Sequence, residues 1–334
     1  MPAAMPMNGA PEVLVIGGGN IGSRHVQGLA RAARPLAITV VDPNPDSLKL
    51  AADRFAESPK GAGHSLALSA SLDEAPPAAD VCIVATPAGP RPRIVQQIAR
   101  ERRARFLILE KFLFQARADY GAAARALAEA GIPAWVNCPR PMWPSYRQAR
   151  ADIAGNGPVA LHVVAGRAAA LATNAIHFLD ALDFLAGRGR TWTLRGDRLR
   201  KIEGGGRHAG AVEFAGALYG VSDRGDMFSF MLNDDGGPHH VDISAPGRRW
   251  IVREGAGKAG AASAETDWAW SEIDFAVPYQ SAITGDAATA LLDTGDCALP
   301  TLAESSALHL AMLDAYFEAL GVAADAQTDK CPVT

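Results

Sequence analysis

Residues 12–22 read Glu-Val-Leu-Val-Ile-Gly-Gly-Gly-Asn-Ile-Gly, and this stretch decides the fold. Its first five residues form a short apolar run of the kind that is buried on both faces of a parallel sheet. Glycines follow at 17, 19 and 22, and a helical run begins directly after them. Strand, G-x-G-x-x-G and helix in that order make a turn at which a pyrophosphate meets a helix N-terminus. Gly17 permits the tight turn, Gly19 lets the backbone approach the phosphates, and Gly22 lets the helix pack close to the strand, with Asn20 and Ile21 completing the loop.

Reading outward, five more short β-rich runs alternate with helical stretches up to about residue 136: AITVVD, SLALS, VCIVATP, RFLILEK and PAWVN. That alternation predicts a doubly wound parallel sheet of the Rossmann type. Asp42 ends the second run, 20 residues past Gly22, where a carboxylate can hydrogen-bond both ribose hydroxyls of NAD and repel the 2'-phosphate of NADP. NAD is therefore the expected cofactor, ahead of NADP. The competing reading of Asp42 is a turn-forming residue before Pro43.

The chain has 334 residues, 49% hydrophobic and 20% charged, which is enough to fill two cores. A formal net charge of -4 gives no general basic field for nucleic acid or an anionic membrane. The four cysteines, Cys82, Cys138, Cys297 and Cys331, are widely spaced, which suits neither a disulfide framework nor a metal site and fits a reducing cytoplasm. No apolar run approaches the roughly 18 residues of a membrane span, and the opening MPAAMPMNGAP reads as a short disordered leader of a soluble protein.

At residues 137–147, NCPRPMWPSYR, three prolines interrupt helix and ladder and place a boundary near Asn137. The prediction is a Rossmann domain over 1–137 and an α+β domain over 138–334 for substrate and self-association, its closing helices able to pack back on the first. In the second part VALHVVAG reads as a strand and ATNAIHFLDALDFLAG as a helix; AVEFAGALYGVSD, MFSFMLND, HHVDISA and RRWIVRE then suggest a mostly antiparallel open sheet. Residues 253–267, REGAGKAGAASAETD, read as a mobile loop, and helices are expected within 281–293 and over 302–320.

In the helical segment, Thr173 or Asn174 is the expected N-cap and Gly187 the stop, with Ile176, Leu179, Leu182 and Leu185 on one apolar stripe. His177 and Asp180, three apart, share another face. A histidine in the first turn feels the positive end of the helix dipole, which favours the neutral imidazole as a proton acceptor.

GGGNIGSRH, the strand end VATPA, the Glu110-Lys111 pair and the sequence Ile176-His177-Phe178-Leu179-Asp180 stand in an order that resembles the Gfo/Idh/MocA oxidoreductases. The resemblance runs through most of the chain and implies NAD-dependent hydride transfer at a sugar-like carbinol or carbonyl carbon. It implies that Thr86 and Pro87 lie beside the nicotinamide, that Glu110 belongs to the cofactor site, and that Lys111 reaches the substrate as a cationic donor to an oxygen developing negative charge. It also implies a catalytic role for His177. Two departures stand out: Phe112 replaces the proline of the family's E-K-P, and Thr173 stands where many relatives carry an aspartate. The proton acceptor then falls to His177, or the Asn174 amide positions substrate without titrating. The competing readings are a solvated loop charge for Lys111 and a hydrogen-bonded core residue for His177.

Arg140, Trp143, Tyr146 and Arg147 are candidates for the substrate wall, the aromatics for a sugar ring and arginine for a carboxylate or phosphate. Simple packing of an interdomain connection is the alternative. Asp180 joins this set, and Tyr279, Gln280 and Thr284 form a second candidate wall. The segments NCPRPMWPSYR and ATNAIHFLD look similar to relatives from surface-polysaccharide biosynthesis, which suggests a nucleotide sugar or acidic sugar. A sensor that has lost hydride transfer, and a reductase of an imine or open-chain keto group, remain open. An apolar-faced open sheet predicts a homodimer or homotetramer, and no metal is expected.

Overall fold

The computed structural model describes residues 9–58, 63–153, 155, 157–202, 210–233, 235–323 and 329–333. Among them the chain forms two sheets, of six and eight strands, in two compact units. Unit 1 holds the described residues up to Phe114 with Asp119–Asn137 and Pro278–Leu302; unit 2 holds Gln115–Ala118, Cys138–Val277 and the described residues from Ala303 on. No described helix is long and apolar enough to cross a membrane.

In unit 1 the six apolar runs are strands β1 (Glu12–Ile16), β2 (Ala37–Val41), β3 (Ser65–Ser69), β4 (Ala79–Val84), β5 (Ala104–Leu109) and β6 (Ala134–Val136). All pairings are parallel, in the order β3-β2-β1-β4-β5-β6, the doubly wound arrangement the alternation predicts. Val13, Leu14, Val15, Val81, Ile83 and Leu107 are fully buried in the middle of it, which is why these strands carry no polar alternation. Between them run α1 (Asn20–Leu29), α2 (Pro45–Ala56), α3 (Arg91–Glu101) and α4 (Arg117–Ala130). The strand order reverses between β1 and β4, which opens a crevice at their carboxyl ends.

Helix α7 (Gln280–Thr294) returns to unit 1 and packs on α1. The approach is close enough that a side chain at Gly28 would put its Cβ 2.9 Å from Thr284 Cβ, and one at Gly285 2.7 Å from the Gly28 carbonyl oxygen.

Unit 2 is built on β7 (Ala160–Ala165), β8 (Trp192–Ile202), β9 (Glu213–Ser222), β10 (Met227–Leu232), β11 (His240–Ala245), β12 (Arg248–Arg253), β13 (Lys258–Ser263) and β14 (Ser271–Asp274), in the order β14-β13-β12-β11-β7-β10-β9-β8. Only β7 with β10 is parallel; the other pairings are antiparallel, as the turn-separated runs predict. Helix α6 (Leu171–Ala186) covers one face, where Phe178 meets Phe230 edge-on. Helices α5 (Pro144–Ile153) and α8 (Leu302–Leu320) complete the unit's principal helices.

Four features depart from the sequence reading. The expected mobile loop at 253–267 contains β13, whose small residues let Trp270 lie over Gly260; a Cβ there would be 3.3 Å from the indole. β8 also escaped notice, because its three arginines, lysine and aspartate mask an inward set of Trp192, Leu194 and Leu199. Pro144 does not interrupt a helix but begins α5, where its missing N–H is harmless. Helix α6 begins at Leu171, not after Thr173 or Asn174, because Ala170 takes a left-handed conformation (φ 51°) that starts the first turn early. Its C-terminal stop is Gly187, at φ 100°, as expected.

The sheet face away from α6 exposes Val221, Met227, Met231 and Ile251. His162 bonds Ser229 across it, Nδ1 to Oγ, at 2.8 Å.

Candidate functional site: a dinucleotide cradle in unit 1 and a histidine-bearing helix in unit 2

The glycine turn has the geometry its spacing requires. Gly17 adopts φ 98°, and a Cβ there would lie 3.0 Å from Ala85 C and Thr86 N, so the turn after β1 is pressed against the end of β4. A Cβ at Gly22 would fall 1.7 Å from the Gly17 carbonyl oxygen, so α1 can start here only with glycine. At Gly19, by contrast, a Cβ would meet nothing within 4 Å. The backbone is bare on that side, which suits the approach of a pyrophosphate to the first turn of α1. Asn20 and Ile21 are exposed beside it.

Asp42, at the end of β2, accepts from Gly18 N at 2.7 Å through Oδ2 and from Asn44 N at 2.8 Å through Oδ1. The carboxylate is thereby fixed against the glycine turn, with lone pairs left for ribose hydroxyls. Arg54 of α2 donates to Asn20 O at 2.7 Å and ties the turn from the other side.

One residue that the sequence reading gave no role, Arg91, holds the neighbouring loops. Arg91 is buried and donates to Thr86 O, to Phe112 O and, at 2.9 Å, to Leu113 O, so one guanidinium joins the loop after β4 to the loop after β5. Burial lowers its pKa to about 10, against the pull of Glu110. The Thr86 hydroxyl is buried with no hydrogen-bond partner among the described residues, while Pro87 is exposed. The Lys111–Phe112 peptide is cis.

Glu110 is buried and accepts from His25 Nε2 at 2.9 Å and from the Asn137 amide. Burial works to raise its pKa, but the bond and charge of His25, the charge of Lys111 and the Asn137 amide prevail and hold the carboxyl below the usual range. Glu110 thus supports its neighbour Lys111 electrostatically from inside the unit. His25 Nδ1 meets Thr284 Oγ1 at 3.0 Å, and the Asn137 amide donates to Gln280 Oε1 at 2.9 Å. Gln280 and Thr284, candidates for a substrate wall, are instead partners in this internal network; Tyr279 beside them is 83% exposed.

In unit 2, Asn174 and His177 stand one turn apart on α6, both partly exposed, with Asn174 Nδ2 anchored to Ala169 O at 2.6 Å. Because α6 starts at Leu171, His177 lies in its second turn, beyond the reach of the terminal dipole invoked for it. Thr173 is buried. Asp180 is fully buried too, with Oδ1 3.0 Å from Arg188 Nη1; burial pushes its carboxyl up to about 7 despite the arginine. It faces the unit's interior, a correction to its reading as a substrate contact.

Arg140 and Tyr146 are likewise engaged internally. Arg140 meets Glu254 through both carboxylate oxygens, at 2.9 and 2.6 Å, and Tyr146 donates to Glu254 at 2.7 Å. All three are buried, so the carboxylate this arginine recognises belongs to the chain itself. Trp143, also buried, packs against the Tyr146 ring at 5.8 Å. His239, on which the sequence reading was silent, bonds Glu254 from a half-exposed position.

A parallel sheet with a glycine turn after its first strand and an acid at the end of its second defines the dinucleotide-binding class of folds, here followed by a second, largely antiparallel unit. Residues 13–137 match the model of the TrkA-N domain. No curated protein matches the chain in sequence. Solved structures similar to it include an oxidoreductase from Agrobacterium radiobacter in complex with NAD+, L-tartaric acid and magnesium (15% identity, 93% of this chain and 97% of that one, TM-score 0.69). The WlbA dehydrogenase from Bordetella pertussis, in complex with NADH and UDP-GlcNAcA, aligns at 21% identity over 94% and 98% of the two chains, with a TM-score of 0.65. The UDP-N-acetylglucosamine 3-dehydrogenase GnnA from Acidithiobacillus ferrooxidans does so at 14% over 94% and 98%, with a TM-score of 0.67. Coverage of both chains nearly end to end means the fold is shared through both units.

Proposed function

We propose that the chain is an NAD-dependent oxidoreductase of the Gfo/Idh/MocA type, acting on a carbinol or carbonyl carbon of a sugar or nucleotide sugar. The observation that carries this reading is the joining of three loops in unit 1: the glycine turn abuts Thr86, and Arg91 ties Thr86 to the segment bearing Lys111. Two structural neighbours crystallised with NAD+ or NADH, and two concerned with UDP-sugars, support it.

Asp42 holds the adenosine ribose and excludes a 2'-phosphate, and the bare backbone at Gly19 receives the pyrophosphate. NAD, when bound, supplies the hydride acceptor. Lys111 donates to the substrate oxygen and stabilises its developing negative charge, while Glu110 keeps that lysine's surroundings anionic. His177 takes the hydroxyl proton, with Asn174 orienting the substrate; the reverse reduction uses the same groups. The exposed sheet face of unit 2 meets a second copy of the chain in a homodimer or homotetramer.

The test is a scan of NAD reduction against sugars and nucleotide sugars, with NADP in parallel. Lys111→Met should lower turnover by roughly 10²- to 10⁴-fold with NAD affinity retained. An equally active Met variant removes the lysine from the chemistry. Buried Thr173, in place of a general base, favours one other reading, a dinucleotide- or sugar-sensing protein. Firm NAD binding with no turnover on any alcohol, ketone or imine would select it.

A further inference from the structure

One end of the unit 2 sheet gathers side chains that the proposed chemistry leaves unused. β7 leads into α6 through Gly166, whose N–H donates to Gly237 O at 3.1 Å. His240, the first residue of β11, pairs with Val164 near the end of β7, so His239 lies beside the connection from which α6 departs. Its ring meets Phe178, the neighbour of His177, edge-on with centroids 5.8 Å apart. β12 runs antiparallel to β11, which brings Glu254, just past the end of β12, to the same place.

These residues hold one imidazole in one orientation. His239 Nε2 lies 3.1 Å from Glu254 Oε2, and Glu254 is itself clamped by Arg140 and Tyr146. Arg140 in turn sits over the Phe178 ring at 3.9 Å. Burial would raise the Glu254 pKa, but the Arg140 charge, with the bonds from His239, Arg140 and Tyr146, brings it down to about 2. An ionised carboxylate only accepts, so the proton of a neutral His239 is on Nε2 and Nδ1 carries a lone pair. Nδ1 has no hydrogen-bond partner among the described residues, and the side chain is 32% exposed. The ion pair is already satisfied by Arg140 and Tyr146; what the third contact adds is a fixed tautomer and a fixed ring.

We infer that His239 is a substrate-binding residue of unit 2, accepting through Nδ1 a hydrogen bond from a hydroxyl group of the substrate. The inference rests on the reading of the substrate as a sugar. It also sets a specificity: a neutral Nδ1 acceptor welcomes a hydroxyl and disfavours a carboxylate at that position, which offers no proton.

The experiment uses the full chain with ¹⁵N-labelled histidine, the His239 resonances being assigned by their loss in His239→Asn, and UDP-N-acetylglucosamine with NADH as the probe. The free protein should show the Nε2–H tautomer at His239, and the probe should shift its Nδ1 resonance. With whichever sugar the wild type oxidises, His239→Phe should lose about tenfold to a hundredfold in kcat/KM, chiefly through KM. His239→Asn, whose amide oxygen can replace Nδ1, should keep more of it, and both should unfold at the wild-type temperature. An Nδ1-protonated ring in the free protein, or a His239→Phe enzyme with wild-type KM, overturns the inference while leaving the oxidoreductase reading intact. A wild type that oxidises no sugar and shows no histidine shift overturns that reading, and this inference with it.

Discussion

The carboxylate of Glu110 accepts a hydrogen bond from His25 Nε2 at 2.9 Å, and both side chains are buried. This pair links the first helix to the loop that carries Lys111. Replacing one member leaves the other without its main partner where water cannot substitute. His25→Ala should lower the unfolding free energy in urea by about 3 kcal/mol. A loss under about 1 kcal/mol, the range of an exposed pair, would show that Asn137 alone satisfies the carboxylate.

The glycine turn separates a folding role from a binding role. Gly22→Ala drives a Cβ into the Gly17 carbonyl and should cost both stability and NAD affinity. At Gly19, with φ -62° and open space around the Cβ position, alanine should leave the thermal midpoint unchanged and weaken NAD binding at least about tenfold by obstructing the pyrophosphate. Isothermal titration with NAD reads both; a Gly19→Ala protein that binds as wild type would move the phosphates away from this turn.

Asp180 makes stability depend on pH. Its carboxyl titrates at about 7 in the folded chain, against about 3.9 unfolded. Between those values the folded state holds the proton and the unfolded state does not, so this contribution is complete below about pH 4 and is lost as pH rises through about 7. Asp180→Asn cannot titrate, and its stability relative to wild type should rise across that window by on the order of 4 kcal/mol. Parallel stability curves for the two proteins from pH 4 to 8 would contradict the assignment.

Met231 lies in the exposed row of β10, next to Ala217 of β9 and opposite the side of the sheet that α6 covers. Light scattering after size exclusion should give the mass of a dimer or tetramer for the wild type, and Met231→Lys should shift it towards monomer by placing a charge in the buried interface. A wild-type monomer at micromolar concentration would leave this face without a second copy.

The parts that could be read from sequence are those decided within a few residues. β1, β2, β4 and β5 announce themselves as apolar runs because each is buried on both faces, and Gly17, Gly19, Gly22 and Asp42 follow a spacing set by one turn and one crossover. β13 could not be read, since its Gly260 makes sense only under Trp270. The start of α6 was misplaced because a backbone twist at Ala170, which no side chain signals, outweighs the capping preference of Thr173. Arg140 looked like a substrate contact because its partner, Glu254, stands 114 positions away. His25, Arg91 and His239 were hidden for the same reason: each acquires its task from a residue on another element.

The two units are threaded through one another along the chain. Unit 1 takes back residues 278–302 after unit 2 has been largely spelled out, and unit 2 draws on Gln115, whose carbonyl receives the Cys331 N–H at 2.9 Å. Synthesis from the N-terminus therefore offers no moment at which the first unit is finished and the second not begun: α1 waits for α7, and β9, through Val212, waits for Pro332. Unit 1 reaches completion only once residues 278–302 have left the ribosome, and a nascent chain halted before α7 exposes the flank of α1 as an adhesive surface.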